Sequence, residues 1–176
     1  MRKVRIGMMS FAHMHAASYA HCIAGRKDTE LAGVADHDPK RAARMAAQFG
    51  TIAFAGYEEL LAQPEMDAVV VCPENVKHRE LTEMAAAAGK HVLCEKPLAT
   101  TLADGQAMID ACRSAGVQLM TAFPCRYSPV AMRLKESLSG GQSGKILAFC
   151  GTNRGRNPGG WFPDKSLSGG GATMDH

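Results

Sequence analysis

Short apolar runs alternate with longer stretches of helical periodicity along the first two thirds of the chain. Val4-Arg5-Ile6-Gly7-Met8-Met9 predicts a first strand, followed by a helical pattern from about His15 to Ala24. Leu31-Ala32-Gly33-Val34-Ala35 predicts a second strand ending at Asp36. Pro39 opens the next helix at its first turn; the helix runs through an alanine-rich stretch to Phe49 and stops at Gly50. Ile52-Ala53-Phe54 predicts a short third strand, and Tyr57 to Ala62 a short helix.

Ala68-Val69-Val70-Val71 is continuously apolar, the pattern of a strand covered on both faces. A helix starting at Asn75 or a neighbour runs from His78 to Ala88 and closes at Gly89. His91-Val92-Leu93-Cys94 predicts another strand, Leu102 to Ala115 a helix ended by Gly116, and Val117 to Ala122 a last strand. This alternation with short connections predicts an α/β fold with a doubly wound parallel sheet and right-handed crossovers. After Phe123 the pattern shifts. Ser128 to Leu138 is helical, Lys145 to Cys150 predicts a strand, and Gly151 to His176 holds seven glycines. The reading is a first domain over residues 1–123 and the incomplete beginning of a second over 124–176. No internal repeat is evident.

Composition narrows the class. Hydrophobic content of 46% and charged content of 21% suit a soluble globular protein. A net charge of +3 without a basic cluster argues against nucleic acid and anionic membranes as partners. The six cysteines have neither CxxC nor regular spacing, which points to free thiols in a reducing, cytoplasmic setting and away from zinc. No apolar run approaches the ~20 residues needed to span a bilayer. The eleven methionines are scattered and read as core filler.

Four places carry candidate chemistry. Lys96 follows an apolar strand and precedes Pro97, which restricts it to extended conformations. It is either a solvated strand end or a lysine whose ammonium is aimed and partly desolvated for acid–base work. The turn after the first strand reads Ser10-Phe11-Ala12-His13-Met14-His15, with no glycine at the G-x-G-x-x-G positions of a dinucleotide-binding turn. Its amides at a helix N-terminus could still face a phosphate. Asp36 stands where a carboxylate accepts ribose hydroxyls and repels a 2′-phosphate, favouring NAD over NADP, while Asp38 is the better helix cap. Asn75 and His78 are either a cap and first-turn residue or cofactor contacts. His13 and His15 lack partners at metal-ligand spacing, so no metal is expected.

The chain resembles the glucose–fructose oxidoreductase / inositol dehydrogenase (Gfo/Idh/MocA) family. The resemblance is carried by Val4 to His15, Val34-Ala35-Asp36, Met66 to Val71, Glu74 to His78 and Gly89-Lys90-His91-Val92-Leu93-Cys94-Glu95-Lys96-Pro97-Leu98-Ala99. Downstream it continues with Arg126-Tyr127-Ser128-Pro129 and Gly169-Gly170-Gly171-Ala172-Thr173-Met174-Asp175. It implies a Rossmann domain followed by the truncated start of an α+β substrate domain. It also implies NAD(P)-dependent hydride transfer to or from a sugar, cyclitol or related polyol, and homo-oligomers at full length.

By resemblance Lys96 and Asp175 are catalytic, and Lys96 orients substrate and takes part in proton transfer before a cis Pro97. Ser10, Phe11, Ala12, His13, Asp36, Asn75, His78, Glu95 and Lys96 fall at cofactor positions, with Glu95 orienting its turn. Arg126, Asn153 and Trp161 fall on the substrate side, and Phe162 beside Trp161 lines a sugar pocket or anchors a loop. The family's histidine, four residues beyond the aspartate, would fall past His176. Two other readings remain open: glycoside hydrolysis through transient oxidation by bound NAD, and a non-catalytic NAD-binding regulator.

Overall fold

The computed structural model describes residues 2–141, 144–152, 155 and 157–175, with backbone only at Ala172 and Asp175. Five parallel strands form one sheet: β1 (Val4–Met9), β2 (Thr29–Ala35), β3 (Ala68–Val71), β4 (His91–Glu95) and β5 (Leu119–Ala122). Their order is β2-β1-β3-β4-β5. The helices are α1 (Ala16–Gly25), α2 (Pro39–Phe49), α3 (Tyr57–Leu61), α4 (His78–Ala87), α5 (Leu102–Ser114), α6 (Pro129–Ser139), α7 (Lys165–Ser168) and α8 (Ala172–Asp175). The doubly wound parallel sheet predicted by the periodicity is present.

Side-chain alternation along the strands builds two cores. Met9, Val69, Val71, Val92 and Cys94 face a layer made by α3, α4 and α5, including Leu60, Leu81, Ala85 and Met108. Met8, Val34, Val70 and Cys72 face the other way, against Ala16, Ala20 and Ile23 of α1 and Ala46 of α2. Burial on both faces explains why β3 is continuously apolar. Asp38 caps α2 by accepting from the Lys40 and Arg41 amides at 2.9 and 3.3 Å, and Gly50 ends it at φ 63°.

Two predicted strands differ. Ile52-Ala53-Phe54 lies beside β2, but as a single parallel bridge between Ala53 and Val34. Its hydrogen bonds are Val34 N to Ile52 O and Phe54 N to Val34 O, both 2.8 Å. The ring of Phe54 crosses β2 at Gly33, where only a residue without a side chain fits, and Ile52 is already exposed. Lys145–Cys150 is not a strand. No strand among the described residues pairs with it, and residues 144–152 are exposed throughout. An apolar run becomes a strand only when a neighbour takes its backbone groups. Helix α6 likewise buries no residue, leaving Val130, Met132 and Leu134 exposed.

The β2-β1-β3 order places a topological switch point at the carboxyl ends of β1 and β3, where open α/β sheets form ligand crevices. The turns leaving β1, β2, β3 and β4 therefore converge on one edge. A Cβ added at Gly33 would lie 2.3 Å from Phe54 Cε2 and 3.3 Å from Ile52 O. Gly33→Ala is expected to destabilise the protein by about 1–3 kcal/mol, read as a lower urea midpoint at unchanged slope. An unchanged midpoint would show that Phe54 does not hold this edge.

Candidate active site at the carboxyl end of the sheet

The turn after β1 keeps a dinucleotide-turn shape without its glycines. Ser10 takes φ 76°, a left-handed conformation that costs a non-glycine residue of order 1 kcal/mol or more. Side-chain and backbone bonds hold it there. Ser10 Oγ accepts from Ala12 N at 3.1 Å and donates to Asp36 Oδ2 at 3.3 Å, while Ser10 N donates to Ala35 O at 2.8 Å. Phe11 N donates to Asp36 Oδ2 at 2.6 Å, His13 N to Cys72 O at 3.1 Å, and His15 N to His13 Nδ1 at 3.1 Å. Acceptors of the protein itself thus meet the amides of residues 11, 12, 13 and 15.

Asp36 joins this turn to α2. Its side chain is fully buried, and Arg41 grips it with two bonds, Nε to Oδ2 at 2.8 Å and a terminal guanidinium nitrogen to Oδ1 at 2.7 Å. Asp38 N donates to Oδ1 at 2.9 Å. Burial alone would raise the carboxyl's pKa, but Arg41 and the Asp38 and Phe11 amides outweigh it and hold the group below its ordinary range. With both oxygens engaged by the protein, Asp36 reaches a ribose only if Arg41 turns aside.

After β3, Asn75 caps no helix. Its Nδ2 donates to Ser168 O of α7 at 2.9 Å, and its buried Oδ1 has no partner among the described residues. His78 is fully buried at the start of α4; its Nδ1 lies 2.8 Å from Pro97 O. A carbonyl only accepts, so Nδ1 carries a proton in this contact, and Nε2 has no hydrogen-bond partner among the described residues. Burial lowers the His78 pKa, against the pull of the Pro97 carbonyl. The Lys96–Pro97 peptide is cis, as the resemblance implies.

At the end of β4, Glu95 is fully buried and its two oxygens face α1: Tyr19 OH donates to Oε2 at 2.5 Å, and His15 Nδ1 lies 3.3 Å from Oε1. Burial pushes the carboxyl up, yet His15, Tyr19 and His13 bring it net below its ordinary range. Burial, together with Glu95, pushes the Tyr19 hydroxyl far above its ordinary range. His13 is pushed down to about 4, chiefly by burial; Glu95 opposes the shift, while His15, Lys96 and His78 add to it. Half-buried Lys96 therefore lies within electrostatic reach of His13. Trp161 and Phe162, stacked at 4.0 Å, wall the His13 ring with centroids 5.8 and 5.1 Å away. Trp161 Nε1 donates to Ala12 O at 3.0 Å, fastening this segment over the turn.

Residues 2–123 match the family model described as an oxidoreductase family with an NAD-binding Rossmann fold. The chain belongs to the Gfo/Idh/MocA family. It is 40% identical over 121 residues to 1,5-anhydro-D-fructose reductase of Ensifer adhaerens, covering 67% of this chain and 36% of the relative. It is 34% identical to D-glucoside 3-dehydrogenase of Escherichia coli, covering 99% of this chain and 50% of the relative. Among solved structures, aldose-aldose oxidoreductase of Caulobacter crescentus superposes with a TM-score of 0.83 at 28% identity, covering 99% of this chain and 54% of that one. The chain thus spans between about a third and a half of the length of the curated relatives it matches.

Within this Gfo/Idh/MocA frame, Ser10, Phe11, Ala12, His13, Asp36, Asn75, His78, Glu95, Lys96 and Trp161 all lie at the carboxyl end of the sheet or in the segment packed on it. Arg126 is exposed in the 3-10 turn Pro124–Tyr127, and no interaction among the described residues joins it to the crevice. Asp175 ends α8, its side chain outside the described residues, as are Asn153 and His176. Sequence reasoning missed Arg41 and Tyr19. Arg41 reads as a solvated helix face, yet it stands in the first turn of α2, five residues after the carboxylate it grips. Tyr19 lies one helical turn after His15, so the two share a face toward Glu95.

The Asp36 pair has a pH signature. A carboxyl whose folded pKa is depressed stabilises the fold above its unfolded pKa of about 3.9, and that contribution fades as pH falls through the lower folded value. Asp36→Asn leaves Arg41 unpaired and is expected to cost about 3 kcal/mol at pH 7. The difference from the wild type should shrink below about pH 4 in denaturation series. A cost independent of pH would remove the charge pair as its cause.

Proposed function

We propose that this chain is the cofactor-binding part of an NAD-dependent oxidoreductase acting on a sugar, a cyclitol or a related polyol. The observation that carries the reading is the placement of Lys96, at the carboxyl end of β4 and within electrostatic reach of His13 on the dinucleotide turn. The relatives named above act on anhydrofructose or glucosides by their names, which supports a polyol or its ketone as substrate.

The residues present fit a dinucleotide. Ser10 keeps the left-handed turn, and the buried polar atoms His13 Nε2, Asn75 Oδ1 and His78 Nε2 lack partners among the described residues. NAD, when bound, supplies the hydride acceptor. The turn after β1 approaches the diphosphate, and the Asp36–Arg41 pair takes the adenosine ribose side, where the carboxylate meets the ribose hydroxyls and disfavours a 2′-phosphate once Arg41 turns aside. Lys96 orients the reacting hydroxyl and exchanges its proton at Nζ, with Asp175 as a substrate-side partner. Trp161 and Phe162 offer aromatic faces to the substrate side. Residues 1–123 form the nucleotide domain, and 124–176 open the substrate domain, whose unburied α6 awaits a packing partner.

Trp161 is the only tryptophan, so energy transfer from it to NADH reports binding at the turn directly. NADH should bind more tightly than NADPH, and NAD should be reduced with a polyol panel that includes myo-inositol and D-glucose only where the substrate domain opened by residues 124–176 is present in full. Lys96→Ala should lower kcat by about 10²–10⁴-fold, as expected for a lost acid–base group, while leaving NADH affinity within a few-fold. NAD-linked turnover near the wild-type rate in Lys96→Ala would sink the assignment.

A further inference from the structure

The connection from β3 to α4 reaches two other segments that carry candidate chemistry. His78 is fully buried, and its Nδ1 donates to Pro97 O at 2.8 Å, in the turn that bears Lys96. Asn75, also buried, donates to Ser168 O at 2.9 Å, in the segment that leads to Asp175. Those two segments also pack on each other. A Cβ added at Gly169 would lie 2.4 Å from Thr100 Cγ2 and 2.7 Å from Thr100 Cβ. The connection, the Lys96 turn and the Ser168–Gly169 corner therefore close a triangle, and His78 is the side that reaches the lysine's own turn.

The place of that bond decides what it controls. Sheet pairing holds β4 as far as Glu95, which lies opposite Ala122, and α5 begins only at Leu102. Residues 96–101 between them belong to no helix or strand, so a bond at Pro97 fixes the path by which the chain leaves Lys96. A proline has no N–H, so its carbonyl is the only backbone group through which residue 97 can be held. The holder is itself rigid. His78 opens α4, whose Leu81, Ala85 and Ala86 are buried in the core beneath the sheet.

Two uses of the ring call on different nitrogens. A contact to cofactor would be made by Nε2, which has no partner among the described residues, whereas Nδ1 is already engaged by Pro97 O. Building on the NAD-linked reading above, we propose that His78 is a positioning residue for Lys96, its Nδ1–H holding the Pro97 carbonyl and thereby setting where the lysine enters the crevice. Burial keeps the ring from gaining charge, so this bond adds no cation beside the lysine.

Asparagine and glutamine tell the two nitrogens apart. The side-chain nitrogen of Asn stands at the place of Nδ1, and that of Gln at the place of Nε2. NADH affinity is read on this chain through Trp161, and turnover on a chain that carries the complete substrate domain. His78→Gln should lower kcat by about 10²-fold, as for a small displacement of a reacting group, with NADH affinity and the polyol KM within about threefold of the wild type. His78→Asn should restore kcat to within about tenfold of the wild type. In spectra of this chain with ¹⁵N-labelled histidine, the His78 Nδ1–H should appear as a slowly exchanging proton. An equal loss of kcat in both variants, a His78→Gln rate near that of the wild type, or an Nδ1 without a protected proton would overturn the proposal and leave the NAD-linked reading standing. NADH affinity lost in His78→Asn but kept in His78→Gln would overturn it as well, by giving the residue to the cofactor. A wild-type protein that does not bind NADH would overturn both.

Discussion

The buried Asp36 carboxylate is the constraint on which this site depends. It ends β2, receives the Phe11 amide and the Ser10 hydroxyl from the turn after β1, and is gripped by Arg41 from α2. One charged group therefore ties three segments that the sheet alone would leave adjacent but unaligned. An isolated carboxylate would not tolerate full burial; here a bidentate guanidinium and two amides replace water. The same bonds hold Ser10 in its left-handed conformation, the geometry glycine adopts without strain. Loss of the glycines is thus a change in what stabilises the turn, not in its shape.

That substitution alters how the turn meets a ligand. A glycine-rich turn leaves amides facing the diphosphate. Here the amides of Phe11, Ala12, His13 and His15 are bonded to a carboxylate, a hydroxyl, a carbonyl and an imidazole of the protein. Among the described residues, the buried side-chain atoms without partners include His13 Nε2, Asn75 Oδ1, His78 Nε2 and Ser168 Oγ. The segment bearing Trp161 and Ser168 adds to the crevice from outside the sheet, bonding Ala12 O at one end and Asn75 at the other. A stretch of glycine-rich chain thereby becomes one wall of the site.

Most of the fold was legible because the central strand β3 is buried on both faces and the helices carry their own stops. The β3 run, Gly50 after α2 and the proline at the start of α2 each state a local preference that the tertiary structure keeps. Ile52–Phe54 and Lys145–Cys150 were misread for one reason: apolar content marks a segment suited to a sheet, whereas pairing depends on a neighbour that local sequence cannot report. At the site, positions at strand ends were legible from the order of the motifs. Partnerships were not. Nothing in the spacing of Glu95 and Tyr19, or of Asn75 and Ser168, announces a contact across 76 or 93 residues. Asp36 was legible as a carboxylate at the right place, but its engagement by Arg41 emerges only once α2 docks on the sheet.

The two buried histidines show why such partnerships matter more than residue type. Burial disfavours the charged form of both, yet their neighbours differ: the His15 amide donates to Nδ1 of His13, whereas Nδ1 of His78 faces the Pro97 carbonyl. Near Lys96, then, one imidazole accepts from a backbone amide and the other donates to a backbone carbonyl. Had either ring been protonated, it would have added positive charge near the lysine and drawn Glu95 into an ion pair. Keeping both neutral leaves Glu95 with acceptor positions beyond those taken by Tyr19 and His15. The two imidazoles therefore contribute direction rather than charge to the crevice, beside the ionised Glu95.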